Sequence, residues 1–420
     1  MSDSSASAAT ARLPLVRAAR RRLPGEGALW TLALDRLSAR LARGRLTLIR
    51  PDGRARVHTG AEPGPEATVL LRSPLAARRL LLGGALGFGE AYVAGLWDTP
   101  DLDAVLRLVL VNEDRIGIAE PGSALARLVQ LWRHRRNANT RSGSRRNIAY
   151  HYDLGNAFYG AWLDPSMTYS AALWGDTPNL SLEQAQAAKY RALCRALDLQ
   201  PGQHVLEIGC GWGGFAEIAA GEFGCRVTGL TLSREQLAYA RDRMAAAGLS
   251  ERVEVRLQDY RDVTGSFDAV ASIEMVEAVG EAHWPLFFDT VRDRLRPGGR
   301  LALQAIVIEP WRFPEYRVTP DFIQTHVFPG GMLPTVPHLR DGLAEAGLTV
   351  TDTHGFGADY ARTLDLWRAA FIAAWPDILA LDAGFDEPFR RLWLYYLAYC
   401  KAGFAHGSID VIHLTAERPA

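Results

Sequence analysis

The run Val205-Leu206-Glu207-Ile208-Gly209-Cys210-Gly211-Trp212-Gly213-Gly214 decides the fold. It leaves a short apolar strand, His204 to Ile208, and enters a helical pattern near Gly213 to Phe223 through a loop of glycines. Glycines there let the chain turn tightly and let a ligand approach the backbone. A glycine triplet alone is also what a plain strand-to-helix turn needs, so its surroundings carry the argument. Outward from the loop, strand patterns at Arg226 to Leu230, Val253 to Leu257, Phe267 to Ile273 and Arg300 to Ile308 alternate with helical patterns at Ser233 to Ala247 and Trp284 to Leu295. That alternation predicts an α/β fold with a doubly wound parallel sheet, which binds ligands at the carboxyl ends of its strands. Leu348 to Thr353 and Ile409 to Leu414 read as late strands with a helical insertion between them.

The first third of the chain is different. Residues 1–28 are rich in Ser, Ala and Arg and read as a basic flexible arm. Residues 29–115 read as a small α+β amino-terminal domain, associated with lipid or membrane. Its strands, Leu46 to Ile49 and Thr68 to Leu71, flank the turn Pro51-Asp52-Gly53, and helical patterns follow at Pro74 to Leu82 and Leu102 to Val111. Residues 116–146 read as a basic linker, with six arginines and no acid between Arg133 and Arg146, and residues 147–420 as the catalytic domain.

At 420 residues and 48% hydrophobic, the chain is too apolar for disorder and long enough for more than one core. Its net charge of zero hides a division: residues 1–150 hold 24 Lys and Arg against 13 Asp and Glu, a net +11, and the remainder carries −11. Such asymmetry points to an anionic surface, nucleic acid or membrane. Lys189 and Lys401 are the only lysines among 47 cations, which reads first as coding bias. No run reaches the roughly 18 to 20 apolar residues of a membrane span. The most apolar stretch, Leu80 to Trp97, contains five glycines and Glu90, and Met1 to Thr10 has no secretory core. The four cysteines have neither metal-ligand nor disulfide spacing, so the expectation is a reduced, cytoplasmic enzyme with peripheral contact to the inner face of the membrane.

Glu207 stands before the loop in an E-x-G-x-G-x-G arrangement, which resembles the S-adenosylmethionine loop of class I methyltransferases (Rossmann-like) rather than a dinucleotide loop. At the second strand's end, where a dinucleotide enzyme places an acid for the ribose, this chain has Thr231. Ser233 followed by Gln236 also fits a helix capping box.

Seven separated segments then agree on a family: Tyr150 to Asn156, Leu163 to Ser170, the glycine loop, Gly229 to Gln236, Phe328-Pro329-Gly330-Gly331, Gly357-Ala358-Asp359-Tyr360 and Tyr399-Cys400-Lys401-Ala402-Gly403-Phe404. Together they resemble the cyclopropane-fatty-acyl-phospholipid synthases, the mycolic acid cyclopropane synthase-like family. Leu86 to Trp97 is similar to the amino-terminal domain of its longer members. The resemblance implies methyl transfer from S-adenosyl-L-methionine to a cis double bond in a phospholipid acyl chain, through a carbocation that loses a proton as a cyclopropane closes. Cofactor contacts would fall on Tyr169, Ser170, Glu207, Gly209, Cys210, Gly211, Gly213, Thr231, Leu232, Ser233, Gln236, Gln258, Asp259 and Tyr260.

In the family a bicarbonate ion is the base, and its site would map onto Ala171, Glu277, Gln304, Ile306 and Tyr360. Members commonly have Cys in place of Ala171 and His in place of Gln304. Gln304 hydrogen-bonds but does not titrate. Two outcomes therefore stay open: bicarbonate held by Glu277, Tyr360 and backbone groups, or a cation quenched without ring closure to give a methyl- or methylene-branched chain. Cys400 matches a cysteine often named as catalytic, although methyl-cation chemistry needs no nucleophile and a lone Cys on an apolar helix is more often packing. The expected partners are an anionic phospholipid surface and a second copy of the chain, with no nucleic acid. A non-lipid small-molecule methyltransferase and a non-enzymatic lipid-binding protein are the competing readings.

Overall fold

The computed structural model describes residues 26–116, 154–381 and 384–420. Most of the expected basic arm and linker, and Tyr150 to Asp153 of the first motif, lie outside the described residues.

Residues 26–116 begin with the helix Glu26–Ser38 and form a four-stranded sheet in the order β2-β1-β3-β4. These strands are β1 (Arg43–Ile49), β2 (Ala55–Thr59), β3 (Glu62–Leu71) and β4 (Trp97–Asp98). The Pro51-Asp52-Gly53 turn joins β1 to an antiparallel β2 that the sequence reading did not separate. The reason is that β2 is an edge strand exposed along most of its length, so it carries no apolar alternation. The glycine-rich stretch after Leu80 is helical, within Leu75–Val93, and breaks at Gly84, where φ is 60° and ψ −147°. At Gly87 an added Cβ would lie 2.1 Å from the Arg79 carbonyl oxygen, so the close approach across this bend requires glycine.

The larger sheet runs β10-β11-β9-β8-β5-β6-β7, with β5 (His204–Ile208), β6 (Arg226–Thr231), β7 (Val253–Leu257), β8 (Phe267–Ile273), β9 (Leu295–Ile308), β10 (Thr349–Gly355) and β11 (Ile409–Glu417). β5 to β9 pair in parallel, and β11 enters antiparallel to both β9 and β10. The order reverses at β5, between β6 and β8, which puts the glycine loop at the crevice where doubly wound sheets bind ligands. The fold is the α/β arrangement of the class I methyltransferases.

The helices Gly357–Leu379 and Glu387–His406 lie between β10 and β11, where the helical insertion was expected. Their apolar faces meet Phe158, Trp162 and Tyr169 in an aromatic core: Trp162 stands edge-on to Trp367, Phe371 and Trp393 at centroid separations of 5.9 to 6.4 Å. This core is continuous with that of residues 26–116. At the junction the Arg391 guanidinium lies 3.9 Å from the centre of the Tyr92 ring and donates to the carbonyls of Tyr92 and Trp97, at 2.6 and 2.8 Å. Lys401 bridges Asp103 and Asp365 at 2.8 and 2.5 Å. Among the described residues, no helix is long and apolar enough to cross a membrane.

Candidate active site

The cofactor side grows directly from β5. Gly209, Gly211 and Gly213 have φ of 85°, 52° and 88°, in the left-handed region that glycine adopts without strain. An added Cβ on Gly209 would stand 2.9 Å from the Met275 side chain, which makes the first glycine a matter of space as well as torsion. The amides of Gly209 and Cys210 both donate to the Leu230 carbonyl, at 3.0 and 2.8 Å, tying the loop to β6. Glu207 sits beneath it, fully buried, with Oε2 lacking a hydrogen-bond partner. Burial pushes its carboxyl up to about 8, against the smaller pull of Arg243 and Lys189. An orphaned buried acceptor at the carboxyl end of the sheet fits a ligand that brings hydroxyl or amine donors, as S-adenosylmethionine does.

The neighbouring strand ends complete this side. Ser233 caps the helix Arg234–Ala246, but the capping box is only half formed. Its amide donates to Thr231 Oγ1 at 3.1 Å, and Thr231 Oγ1 donates to Gln236 Oε1 at 2.9 Å, so Gln236 turns toward the strand end instead of back to the cap. Leu232, between them, is partly exposed. Past β7 the Gln258 amide donates to the Thr231 carbonyl at 3.1 Å, joining the two strand ends. The Asp259 carboxylate is clamped by its near neighbour Arg261 at 2.8 and 2.6 Å, and Tyr260 packs edge-on against Phe287. From the opposite wall, Tyr169 and Tyr396 share a hydrogen bond of 2.7 Å, and the Ser170 hydroxyl accepts from the ammonium of Lys189.

The second side differs from the sequence expectation. Three of the residues mapped to the bicarbonate site do converge, but on Glu274 and not on Glu277. The Ala171 amide and Gln304 Nε2 donate to Glu274 Oε1 at 2.8 and 2.7 Å, and the Tyr360 hydroxyl donates to Oε2 at 2.7 Å. Glu274 follows β8 directly, and its own amide donates to the Gln304 carbonyl at 2.8 Å. Its φ is 49°, one of three left-handed non-glycine residues among those described. Glu277, a turn later, accepts from the Ile306 amide through Oε1 and leaves Oε2 buried without a hydrogen bond. Burial, and secondarily the charge of Glu274, pushes Glu277 up to about 8, so it stays protonated at neutral pH. The donors that would hold bicarbonate are thus occupied by a side chain, and the residues present do not fit that ion.

Two further residues support Glu274, and the sequence reading passed over both. Lys189 is completely buried; burial pulls its ammonium below the usual range, while Glu274, Asp164 and Glu207 push it back. A single lysine on the buried face of Leu182–Ala196, in a chain with so many arginines, was the available signal. His413 Nε2 lies 2.9 Å from Gln304 Oε1. Burial holds His413 down to about 3, so the ring is neutral and donates, fixing the Gln304 amide with its Nε2 toward Glu274. The Tyr360 ring packs against Phe404 at a tilt, with centroids 4.4 Å apart. Cys400, on the same helix as Tyr396, has its thiol pushed far up by burial, which disfavours a nucleophilic thiolate.

A sequence model of the family described as mycolic acid cyclopropane synthetase matches residues 139–414. The chain belongs to this family. Within it, a relative from Mycobacterium tuberculosis named tuberculostearic acid methyltransferase UfaA1 is 40% identical over 381 residues, covering 89% of this chain and 88% of that protein. The cyclopropane-fatty-acyl-phospholipid synthase of Escherichia coli K12 is 36% identical over 371 residues, covering 84% and 88%. Among solved structures, mycolic acid cyclopropane synthase CmaA1 complexed with SAH and CTAB superposes with a TM-score of 0.60 at 31% identity, covering 65% of this chain and 98% of that one. The protein is an S-adenosylmethionine-dependent methyltransferase. S-adenosylmethionine would supply the methyl group there, and Glu207, the glycine loop and the Thr231 to Gln236 segment are the residues that would hold it.

Proposed function

We propose that this synthase-family member methylates the cis double bond of an unsaturated phospholipid acyl chain, closing a cyclopropane ring. The observation that carries the reading is the pairing of two neighbouring carboxyl groups, the partly exposed Glu274 and the buried Glu277, with an aromatic wall of Tyr169, Tyr360, Trp367 and Tyr396 at the cofactor end of the sheet. An alkene is a weak nucleophile with no proton to lose beforehand, so the site must exclude water and shelter a cation. Ring faces stabilise a neighbouring cation through their quadrupoles. A carboxylate within the same enclosure can take the proton that ring closure releases.

A second reading, a branched open-chain product, is favoured by the relative named for tuberculostearic acid methylation at 40% identity. Access to the acyl chain would come from the basic first third, because anionic headgroups attract Lys and Arg by about 1 kcal/mol each near the surface. Leu29 and Leu32 on the first helix are 68% and 44% exposed, close in sequence to Arg36 and Arg40, which suits a peripheral docking face. Incubation with methyl-labelled cofactor and vesicles of a defined monounsaturated phospholipid, followed by mass spectrometry, tests the reading. Label in a cyclopropane is expected; label in a branched chain selects the second reading, and no label in lipid refutes both. Vesicle binding should weaken with salt and strengthen with anionic lipid.

A further inference from the structure

We infer that the carboxylate of Glu274 is a built-in base that takes the place of bicarbonate in this protein. The inference rests on the acyl-chain reading for its chemistry, but its structural content stands apart from it. One oxygen of Glu274 receives the Ala171 amide and Gln304, and the other receives Tyr360. These are the positions at which the family resemblance puts the ion's donors. Replacement of a titratable His by Gln304 agrees with this, because a glutamine held by His413 presents a fixed N–H to a carboxyl group of the chain itself. The left-handed φ of 49° agrees too: such a torsion at Glu persists only where surrounding contacts enforce it. Glu274 nevertheless keeps part of its surface exposed, as do Tyr169 and Ile306, whereas Glu277 is buried. A base needs that access.

In the reaction, the sulfonium C–S bond breaks as the alkene's π pair forms a C–C bond to the methyl group, leaving a cation on the adjacent carbon. Glu274 takes a proton from the new methyl group, and the freed C–H pair closes the ring. If a 1,2-hydride shift comes first, the same proton loss leaves a methylene branch. Glu274 then returns its proton to water, and no further reactant is required. Lys189, buried beside it, is a positioning residue that favours the anionic form between turnovers.

The test uses the full chain and carbon-13 bicarbonate with wild type, Glu274→Gly and Glu274→Gln. By NMR, wild type saturated with S-adenosylhomocysteine should show no bound bicarbonate. Glu274→Gly, which relaxes the left-handed torsion and vacates the donors, should gain it. In bicarbonate-free buffer wild-type turnover should change less than about twofold on adding bicarbonate, whereas Glu274→Gly should lose at least about a hundredfold and recover about tenfold with the ion. Glu274→Gln keeps the volume of the side chain; it should lose as much without rescue, with cofactor affinity within about twofold. Bicarbonate bound to wild type, its strong stimulation of wild type, or near-normal turnover by Glu274→Gln would overturn the inference. If wild type methylates no unsaturated lipid, the acyl-chain reading fails by itself, and the NMR arm still decides which group occupies the donors.

Discussion

The two sides of the active site are built on opposite plans. The cofactor side is a continuous stretch, Glu207 to Gly214, closed by the ends of the two adjoining strands, and its shape follows from backbone torsions at Gly209, Gly211 and Gly213. The base side gathers Ala171, Lys189, Glu274, Gln304, Tyr360 and His413 from segments that are far apart in the chain. A site made from local backbone is hard to alter one residue at a time without losing it. A site made from converging side chains can exchange one partner for another while the donors stay in place. That difference would let a cofactor loop persist while the groups of a base site were exchanged for a carboxylate of the chain.

The contrast can be broken first at Glu207. Glu207→Ala should weaken S-adenosylhomocysteine binding by roughly ten- to a hundredfold, the cost of removing a buried acceptor's bonds, with the fold retained by circular dichroism. In the ligand-free protein this carboxyl is raised to about 8, so it is protonated at neutral pH, and donors on the ligand favour its charged form. Binding should therefore release a proton and tighten as pH rises from 6 toward 8, levelling off above; calorimetry in buffers of different ionisation heat measures this directly. By the same sign, a carboxyl raised from 4.5 stabilises the ligand-free fold most below 4.5, and that contribution is lost as pH climbs through about 8.

A smaller effect separates the two carboxylates of the base side. Because Glu277 is protonated at neutral pH, Glu277→Gln preserves both its charge state and the acceptor for the Ile306 amide. Turnover should fall by no more than about tenfold, against the hundredfold loss expected at Glu274. Equal losses at both positions would mean that the base role is shared. Smallest of all, Cys400→Ala should leave turnover within about threefold and lower stability by about 1 kcal/mol through lost packing, read from denaturant midpoints.

Most of the larger sheet was legible in the sequence because its strands are short buried runs bounded by helices. His204 to Ile208, Val253 to Leu257 and Phe267 to Ile273 match the observed strands residue for residue. Strand β2 was not legible, since an exposed edge has no apolar rhythm. The candidate cofactor residues stand out in the sequence because they lie in one local stretch after a strand. Glu274 was hidden by the proximity of Glu277: two acids three residues apart at a strand end are equivalent in sequence, and only the left-handed backbone decides which one faces Tyr360 and Gln304. Burial of Lys189 and the hydrogen bond from His413 are tertiary facts with no local signature.

Arg391 bears on where this enzyme can be cut. The span matched by the family model starts at residue 139, an inviting boundary for a shorter version. Yet Arg391 lies within that span and spends its hydrogen bonds on two carbonyls upstream of it, with Tyr92 beneath its charge. A chain begun at residue 139 would keep the guanidinium, lose both acceptors, and bare the apolar flank of the helix that carries Tyr396 and Cys400. The front third in that sense covers the flank of the helix that carries Tyr396, and removing it would require that helix to be resurfaced.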